Sequence, residues 1–399
     1  MDALKPNLIE GANTKGLYFD FADASSYHSF MEKADVINLS NTVITNLDGN
    51  SFIPAMGTIP KALTINTAFN LTATSFPDNW SEAKQYLSST RNQQNCGSCW
   101  AFATVETLEG RINYLTKGKW RDNAMAAGDP THGWLSPQYV ISCVRDTNER
   151  GCQGAGELQE VIRHLTEAHR NGNGVFLSKD YPYVEDSNGE DNEGAACNKP
   201  ADKPRFNFIN YYAVSDPNAS KDEAGVKTQI ARIKQELMEH GPCMTSMYVW
   251  DSFLKIDKTT NSPSTPYSVD MMGRNKMIGG HAVFLVGWGT IPGKDPSNYK
   301  NQWWLLRNSW GMQWNYDGYW YWRMGDDLEG MKAGENIMIE FQCVAGQPDM
   351  NHPLIQAALG AGSSPSSGFG TQSWLYGGAG VVLVLIAAGL MWYYYRRKH

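Results

Sequence analysis

The sequence predicts an α+β protein of two lobes, a helical one followed by a β-rich one, with a transmembrane helix near its C-terminal end. Three observations carry this. Cys99–Leu115 is rich in alanine, glutamate and leucine and contains no proline, the composition of a long helix. From Phe206 onward the pattern turns to short apolar and aromatic runs between turns, which read as strands. Leu375–Tyr395 is a run of about 21 uncharged residues, long enough to cross a bilayer as a helix.

The elements follow in order. Residues 1–73 carry no cysteine and only weak periodicity; they are a candidate propeptide or a plain N-terminal extension. Residues 74–345 form the globular body, with a helical lobe over about 85–205 and a β-rich lobe over about 206–345. In the first helix, Trp100, Ala103, Leu108, Ile112 and Leu115 share a spacing that turns them toward a core. Further helices are expected at Leu135–Cys143 and Glu157–Asn171. Strands are expected at Phe208–Val214, Cys243–Trp250, Ala282–Trp288, Trp303–Arg307, Gly318–Arg323 and Asn336–Phe341, with one helix among them at Gly225–His240. Residues 346–373 read as a flexible linker, since Gly360–Gly370 is built of glycine, serine, alanine, proline and one phenylalanine. The span 375–395 and a basic tail, 396–399, complete the chain.

Composition narrows the function. With 399 residues, 42% hydrophobic and 19% charged, the chain can hold a sizeable core. Its formal net charge of −7 argues against nucleic acid as a partner. The aromatic ends of the span, Trp374/Tyr376 and Trp392–Tyr395, suit bilayer interfaces. Arg396, Arg397 and Lys398 follow at once, and no Lys or Arg lies between Lys332 and the span. The positive-inside rule then places the body on the lumenal or extracellular side, in a lysosome- or endosome-like compartment, at the cell surface or on a virion. Met1–Gly11 lacks the apolar core of a signal peptide. That leaves open a missing upstream segment, an unusual insertion route, a cytosol-facing tail anchor, or a viral membrane protein oxidised by its own machinery.

Chemistry concentrates in three stretches. In Gln93-Gln94-Asn95-Cys96-Gly97-Ser98-Cys99-Trp100-Ala101-Phe102, a cysteine opens the long helix. A thiol is a weak nucleophile near its free pKa of about 8.5, and a helix N-terminus or an adjacent imidazolium activates it. The second stretch, Gly279–Gly289, is an apolar strand with His281 near its start. The third, Trp303–Gly311, carries Asn308-Ser309-Trp310. Alone, a Cys-x-x-Cys is usually a disulfide, redox or metal element, a lone buried histidine is a core residue, and Asn-Ser-Trp is a turn. Found together, in this order, with Gln93 upstream, they supply a nucleophile, its base and a group to orient that base.

On these residues the chain resembles the papain-like cysteine proteases, with a layout closest to cathepsin X (cathepsin Z). The resemblance implies a two-lobed papain-like fold and a cysteine-type peptidase acting on peptide or protein substrates. It implies no metal or organic cofactor. Cys99 takes the nucleophile's place, His281 the base's and Asn308 the orienting amide's, while Gln93 and the Cys99 N–H form the oxyanion hole. Gly154, Ala155, Gly280 and Trp310 fall at substrate-binding positions. Phe76-Pro77-Asp78-Asn79-Trp80 resembles the start of a mature domain of this family. Of the seven cysteines, the resemblance pairs Cys96–Cys152, Cys143–Cys197 and Cys243–Cys343, leaving Cys99 free; six reduced thiols would instead suit a cytosolic protein.

Three departures from the family pattern bear on function. His281 follows Cys99 by 182 positions (281 − 99) and Asn308 by 209 (308 − 99), against about 130–150 in the family. The excess is expected in surface loops at Asp122–Gly133 and Glu185–Ala224. Ala155 stands where a second glycine is usual. The Gln93–Cys96 link lacks the insertion that caps the cleft of cathepsin X, so endopeptidase action is expected. The alternatives are a cathepsin X-like carboxypeptidase, or an inactive membrane-bound binding protein on the same fold.

Overall fold

The sequence places glutamate and arginine among the apolar residues of one long helix, and the fold is organised around burying it. The structure is a computed structural model that describes residues 71–94, 96–144, 151–153, 158–170, 174–184, 197–216, 219–250, 252–269, 277–326 and 339–360. Helix α1 (Cys99–Leu115) is buried at every residue from Trp100 to Tyr114. Leu115, expected in the core, is only half-buried, because the chain turns away there through Lys117 and Gly118, both at positive φ.

Around α1 lie α2 (Lys119–Ala126), α3 (Pro137–Cys143) and α4 (Leu158–Arg170). Helix α3 begins where its sequence allows, with Pro137 in the first turn and the Ser136 hydroxyl accepting from Tyr139 N at 3.1 Å. Helix α2 corrects part of the expected loop over Asp122–Gly133: residues 122–126 are helical, while 127–133 run as turns. Trp120 is buried and its indole N–H donates to Gly133 O at 3.1 Å. That anchor ties the end of the loop back to the helix.

The second lobe is a six-stranded sheet in the order β1-β6-β2-β3-β4-β5. Its strands are β1 (Tyr212–Ala213), β2 (Cys243–Trp250), β3 (Met277–Thr290), β4 (Gln302–Arg307), β5 (Tyr319–Arg323) and β6 (Val344–Ala345), and each neighbouring pair is antiparallel. Strand β3 holds the centre, with Met247 of β2 opposite His281 and Arg307 of β4 opposite Phe284. A register shift between Leu285 and Gly287 admits the N-terminal segment, whose Trp80 exchanges two 2.9 Å backbone bonds with Trp288. A Cβ on Gly287 would lie 2.3 Å from Trp80 O, so the close approach requires glycine there. Helix α5 (Glu223–His240) packs against β3. It starts two residues earlier than its apolar pattern predicts, because Asp222 accepts from Gly225 N at 2.8 Å and caps it.

Two expected strands are corrected. Of Phe208–Val214, only Tyr212–Ala213 joins the sheet. Asn210 instead holds Gln347 by a 2.9 Å bond to its backbone N and a 2.7 Å bond to its side chain, local bonding that competes with a ladder. In Asn336–Phe341, the described residues Ile339–Phe341 form a 3₁₀ turn. All three are buried, and the Glu340 carboxylate accepts from Trp304 Nε1 at 2.8 Å and Gly325 N at 2.9 Å.

The linker expected from residue 346 is also corrected, because chain order continues to Gly360. Ile209 N bonds Gln347 O at 2.8 Å and Asp349 N bonds Asn207 O at 3.0 Å. Residues from Met350 belong to a separate unit, in which α6 (Pro353–Leu359) is capped by His352 Nδ1 accepting from Leu354 N at 3.2 Å. No helix among the described residues is long and apolar enough to cross a membrane. The expected span 375–395, the basic tail and residues 361–373 of the linker lie outside the described residues, as do residues 1–70.

Cys96–Cys152 and Cys143–Cys197 are disulfides. The expected Cys243–Cys343 bridge is corrected: both are buried free thiols, and Cys343 Sγ donates to Ile339 O at 3.3 Å. Met244 pairs with Val344, which sets Cys243 and Cys343 diagonally across the ladder, where the two thiols touch as a hydrogen-bonded pair without a covalent bond. The full chain denatured without reductant is expected to titrate three thiols, Cys99, Cys243 and Cys343; a single thiol would restore the third bridge.

Arg111 of α1 ties the helix to the second lobe. Its guanidinium donates to Pro242 O at 2.7 Å, Tyr212 Oη at 3.0 Å and the Glu236 carboxylate at 2.5 Å. Glu236 also contacts His240 Nδ1 at 2.9 Å. Burial alone would raise the Glu236 carboxyl, but His240 and Arg111 hold it at about 2. Burial opposes charge on His240 as well, and the Glu236 carboxylate overcomes it to raise the imidazole above its ordinary value. A group raised in the folded state stabilises fully below its unfolded pKa, near 6.5, and loses that contribution as pH rises through the folded value. His240→Gln should therefore lower Tm more at pH 5.5 than at pH 9; an equal deficit at both would detach His240 charge from stability.

Candidate active site

Cys99 opens α1, where the first N–H groups of a helix have no intrahelical carbonyl to bond. Ser98, the preceding residue, makes no side-chain cap. The Cys96–Cys152 disulfide and the 2.8 Å bond from Gly97 N to Cys152 O fix the approach to the helix. Cys99 Sγ lies 3.4 Å from the backbone N–H of Ala282, the residue after His281 on β3. The pairing of helix end and strand thus brings thiol and imidazole into one recess.

His281 is 4% exposed. Its Nε2 lies 2.8 Å from Asn308 Oδ1, and a carbonyl oxygen only accepts, so Nε2 carries the proton and Nδ1 keeps its lone pair. Asn308 Oδ1 also accepts from Ser309 N at 2.9 Å, and Asn308 N bonds Gly318 O at 2.8 Å. Trp310 stacks on the imidazole at 5.0 Å between ring centres, 27° between planes, which keeps water from the His281–Asn308 bond.

Gln93 is 4% exposed and is held at both ends. Its backbone N bonds Ser309 O at 2.7 Å, and its backbone O accepts from the Tyr183 hydroxyl at 2.7 Å. Its Oε1 accepts from the Ser309 hydroxyl at 2.5 Å, which turns Nε2 toward the Cys96 carbonyl, 2.8 Å away. An amide nitrogen has two hydrogens, so a second donor remains beside the Cys99 end of α1.

Burial governs the charges. It pushes the Cys99 thiol up to about 11, against backbone N–H bonds from Ala282, Trp100 and Cys99 itself. It pushes His281 down to about 4, against the Asn308 bond. Each group taken alone is therefore neutral at pH 7. Moving one proton from Sγ to the imidazole would leave two opposite charges in the recess, where low polarity strengthens their attraction. This is how the site can make a nucleophile without ionising either group separately.

The structure brings together Gln93, Cys99, His281, Asn308 and Trp310. Gly280 adjoins His281 in β3, opposite Tyr248 of β2. Gly154 and Ala155 lie outside the described residues. Sequence reasoning missed Ser309, which joins the glutamine to the asparagine, and Tyr183. Ser309 stood inside a stretch already singled out, but nothing in its type distinguishes a bridge from a turn residue. Among the described residues there is no cluster of metal-ligating side chains. Ser309→Ala should lower kcat by roughly two- to twelvefold, the equivalent of one hydrogen bond, with KM little changed and recovery in Ser309→Thr. Unaltered kcat in Ser309→Ala would remove the bridge from catalysis.

A family model described as papain family cysteine protease matches residues 76–340. A gut-specific cysteine proteinase of Caenorhabditis elegans is 27% identical over 261 residues, 64% of this chain and 69% of its own length. Cathepsin B-like cysteine proteinase 6 of the same organism is 27% identical over 287 residues, 69% of this chain and 65% of its own length. The chain thus spans about two thirds of each of these relatives. Among solved structures, proCathepsin B S9 from Trypanosoma congolense is similar with a TM-score of 0.51 and 20% identity, covering 74% of this chain and 87% of that one, a likeness of fold.

Proposed function

This chain belongs to the papain family of cysteine proteases, a cysteine peptidase by that membership, and we propose that it is a membrane-anchored endopeptidase working through Cys99, His281 and Asn308. The observation that supports the site most directly is the 2.8 Å His281 Nε2–Asn308 Oδ1 contact beside a thiol 3.4 Å from Ala282 N. In the proposed reaction the Cys99 proton passes to His281 Nδ1 and sulfur attacks the substrate carbonyl carbon. The Gln93 amide and the Cys99 N–H receive the oxyanion. The C–N bond breaks as His281 returns the proton to the leaving amine, which leaves a thioester on Cys99. Water, deprotonated by His281, then attacks the thioester and restores the thiol and the product acid.

Internal cleavage is supported by the Gln93–Cys96 link, which has no room for a capping insertion. Cys99→Ala should reduce turnover of a peptide blocked at both ends by more than about a thousandfold, with Tm nearly unchanged. Cleavage restricted to peptides with a free C-terminal carboxylate would make the enzyme a carboxypeptidase. No cleavage of either, with substrate still bound, would favour a binding protein on this fold.

Anchoring rests on the run 375–395 and the basic residues after it. The catalytic body is proposed to face the lumen or the exterior, which agrees with its two disulfides. Residues 1–73 are proposed as a propeptide, in keeping with the pro-form named for the similar solved structure. Full-length protein should pellet with membranes and resist carbonate extraction, whereas protein ending at residue 371 should be soluble and equally active on short peptides. Carbonate-soluble full-length protein would refute the anchor.

A further inference from the structure

Next to the catalytic residues lies a cavity of about 410 Å³, within the range of sites that hold small ligands, about 300–1,000 Å³. Phe102, Trp134, Tyr183 and Trp310 line it, and Met312 stands at its edge. We propose that this pocket binds a bulky apolar or aromatic side chain of the substrate, two or three residues beyond the scissile bond on the leaving-amine side. The proposal rests on the peptidase reading above.

The side follows from the chemistry. His281 delivers the proton to the leaving amine, and Trp310 stacks on His281 and also lines the pocket. Tyr183, another wall, donates its hydroxyl to Gln93 O at 2.7 Å, so the pocket adjoins the oxyanion glutamine as well. A chain leaving Cys99 past the imidazole therefore passes over Trp310 toward it.

The preference follows from the lining. Arg91 is the one charged residue there, and its charge is already met by Glu109 at 2.9 Å and Glu106 at 3.6 Å, all three buried. The remaining polar lining is hydroxyl and amide. A charged side chain entering would lose water without gaining a counter-charge, while an aromatic one would meet three indole or phenol rings and one phenyl ring. One large apolar side chain of the lining stays exposed, Met312 at 49%. Trp134 also carries a buried indole N–H with no acceptor among the described residues, a donor for an incoming carbonyl. The pocket is held in shape before any ligand arrives: Ser178 N bonds Trp134 O at 2.7 Å, and the Ser178 hydroxyl bonds Leu135 O at 3.1 Å.

The test uses active full-chain protein and internally quenched peptides blocked at both ends. They share one acyl side and carry Phe, Gly or Asp at the second and third positions past the scissile bond. Phe should exceed Gly and Asp in kcat/KM by roughly tenfold or more. Trp134→Ala should flatten that ratio, and so should Met312→Asp at the exposed rim, a change that does not disturb the core. A ratio cancels any general loss of activity. In parallel, the Cys99→Ala chain is titrated with fluorescently labelled amine-side product peptides carrying Phe or Asp, read by anisotropy, with Phe expected to bind about tenfold tighter. Cleavage with no preference, or a preference that survives both variants, overturns the pocket and leaves the peptidase. Selective binding of Phe products without any cleavage keeps the pocket and overturns the peptidase. Neither cleavage nor selective binding overturns both.

Discussion

Helix α1 is buried from Trp100 to Tyr114 and carries Glu106, Glu109 and Arg111 into the interior with it. Buried charges must be paired, and removing one partner of such a pair costs about 3–5 kcal/mol. The partners come from the segments that flank the helix. Arg91 meets Glu109 at 2.9 Å, Arg307 meets Glu106 at 3.1 Å, and Glu236 meets Arg111. Arg91 is two residues before Gln93 and Arg307 is immediately before Asn308. The electrostatic requirement of the helix therefore fixes the glutamine loop and the asparagine strand relative to Cys99 at its N-terminus. The same ion pairs that let the helix be buried set the site.

A second constraint is dryness. Trp310 covers His281, and Phe253 packs against Trp310 at 5.8 Å and Trp320 at 5.5 Å. Those rings continue into a core that holds Trp288 and Trp304 with no exposed surface. Burial by this wall is what drives thiol and imidazole both to their neutral forms. Ser309 then joins the two halves of the machinery, bonding Gln93 through its hydroxyl and Asn308 through its backbone. Motion of the asparagine loop would disturb Gln93 and His281 together.

Much of this was legible in one dimension. The turn from helical runs to short aromatic runs near Phe206, the strand Cys243–Trp250 and the stretches around Cys99, His281 and Asn308 follow from local pattern and residue chemistry. What failed was non-local. Asn336–Phe341 had the apolar content of a strand, yet its described part turns as 3₁₀ because Glu340 is drawn to Trp304 and Gly325. Asp122–Gly133 had the composition of a loop, and residues 127–133 do turn as one, but Trp120 reaches Gly133 and helix α2 runs on to Ala126. Both outcomes were set by a partner distant in sequence or by a side-chain anchor that composition does not reveal.

The cysteines separate the two sources of information most sharply. The order of Gln93, Cys99, His281 and Asn308, and the thiol at a helix start, belong to the sequence alone, since helix ends and residue chemistry are local properties. Whether Cys243 and Cys343 join belongs to the fold. Strand register places Met244 against Val344 and so brings the two residues together diagonally, their thiols in contact but unjoined, a relation no linear spacing encodes. The roles of Ser309 and Tyr183 were likewise decided only when β4 and the helical lobe closed on Gln93. A hydroxyl acquires a role from the atom it meets, and that atom is supplied by another part of the chain.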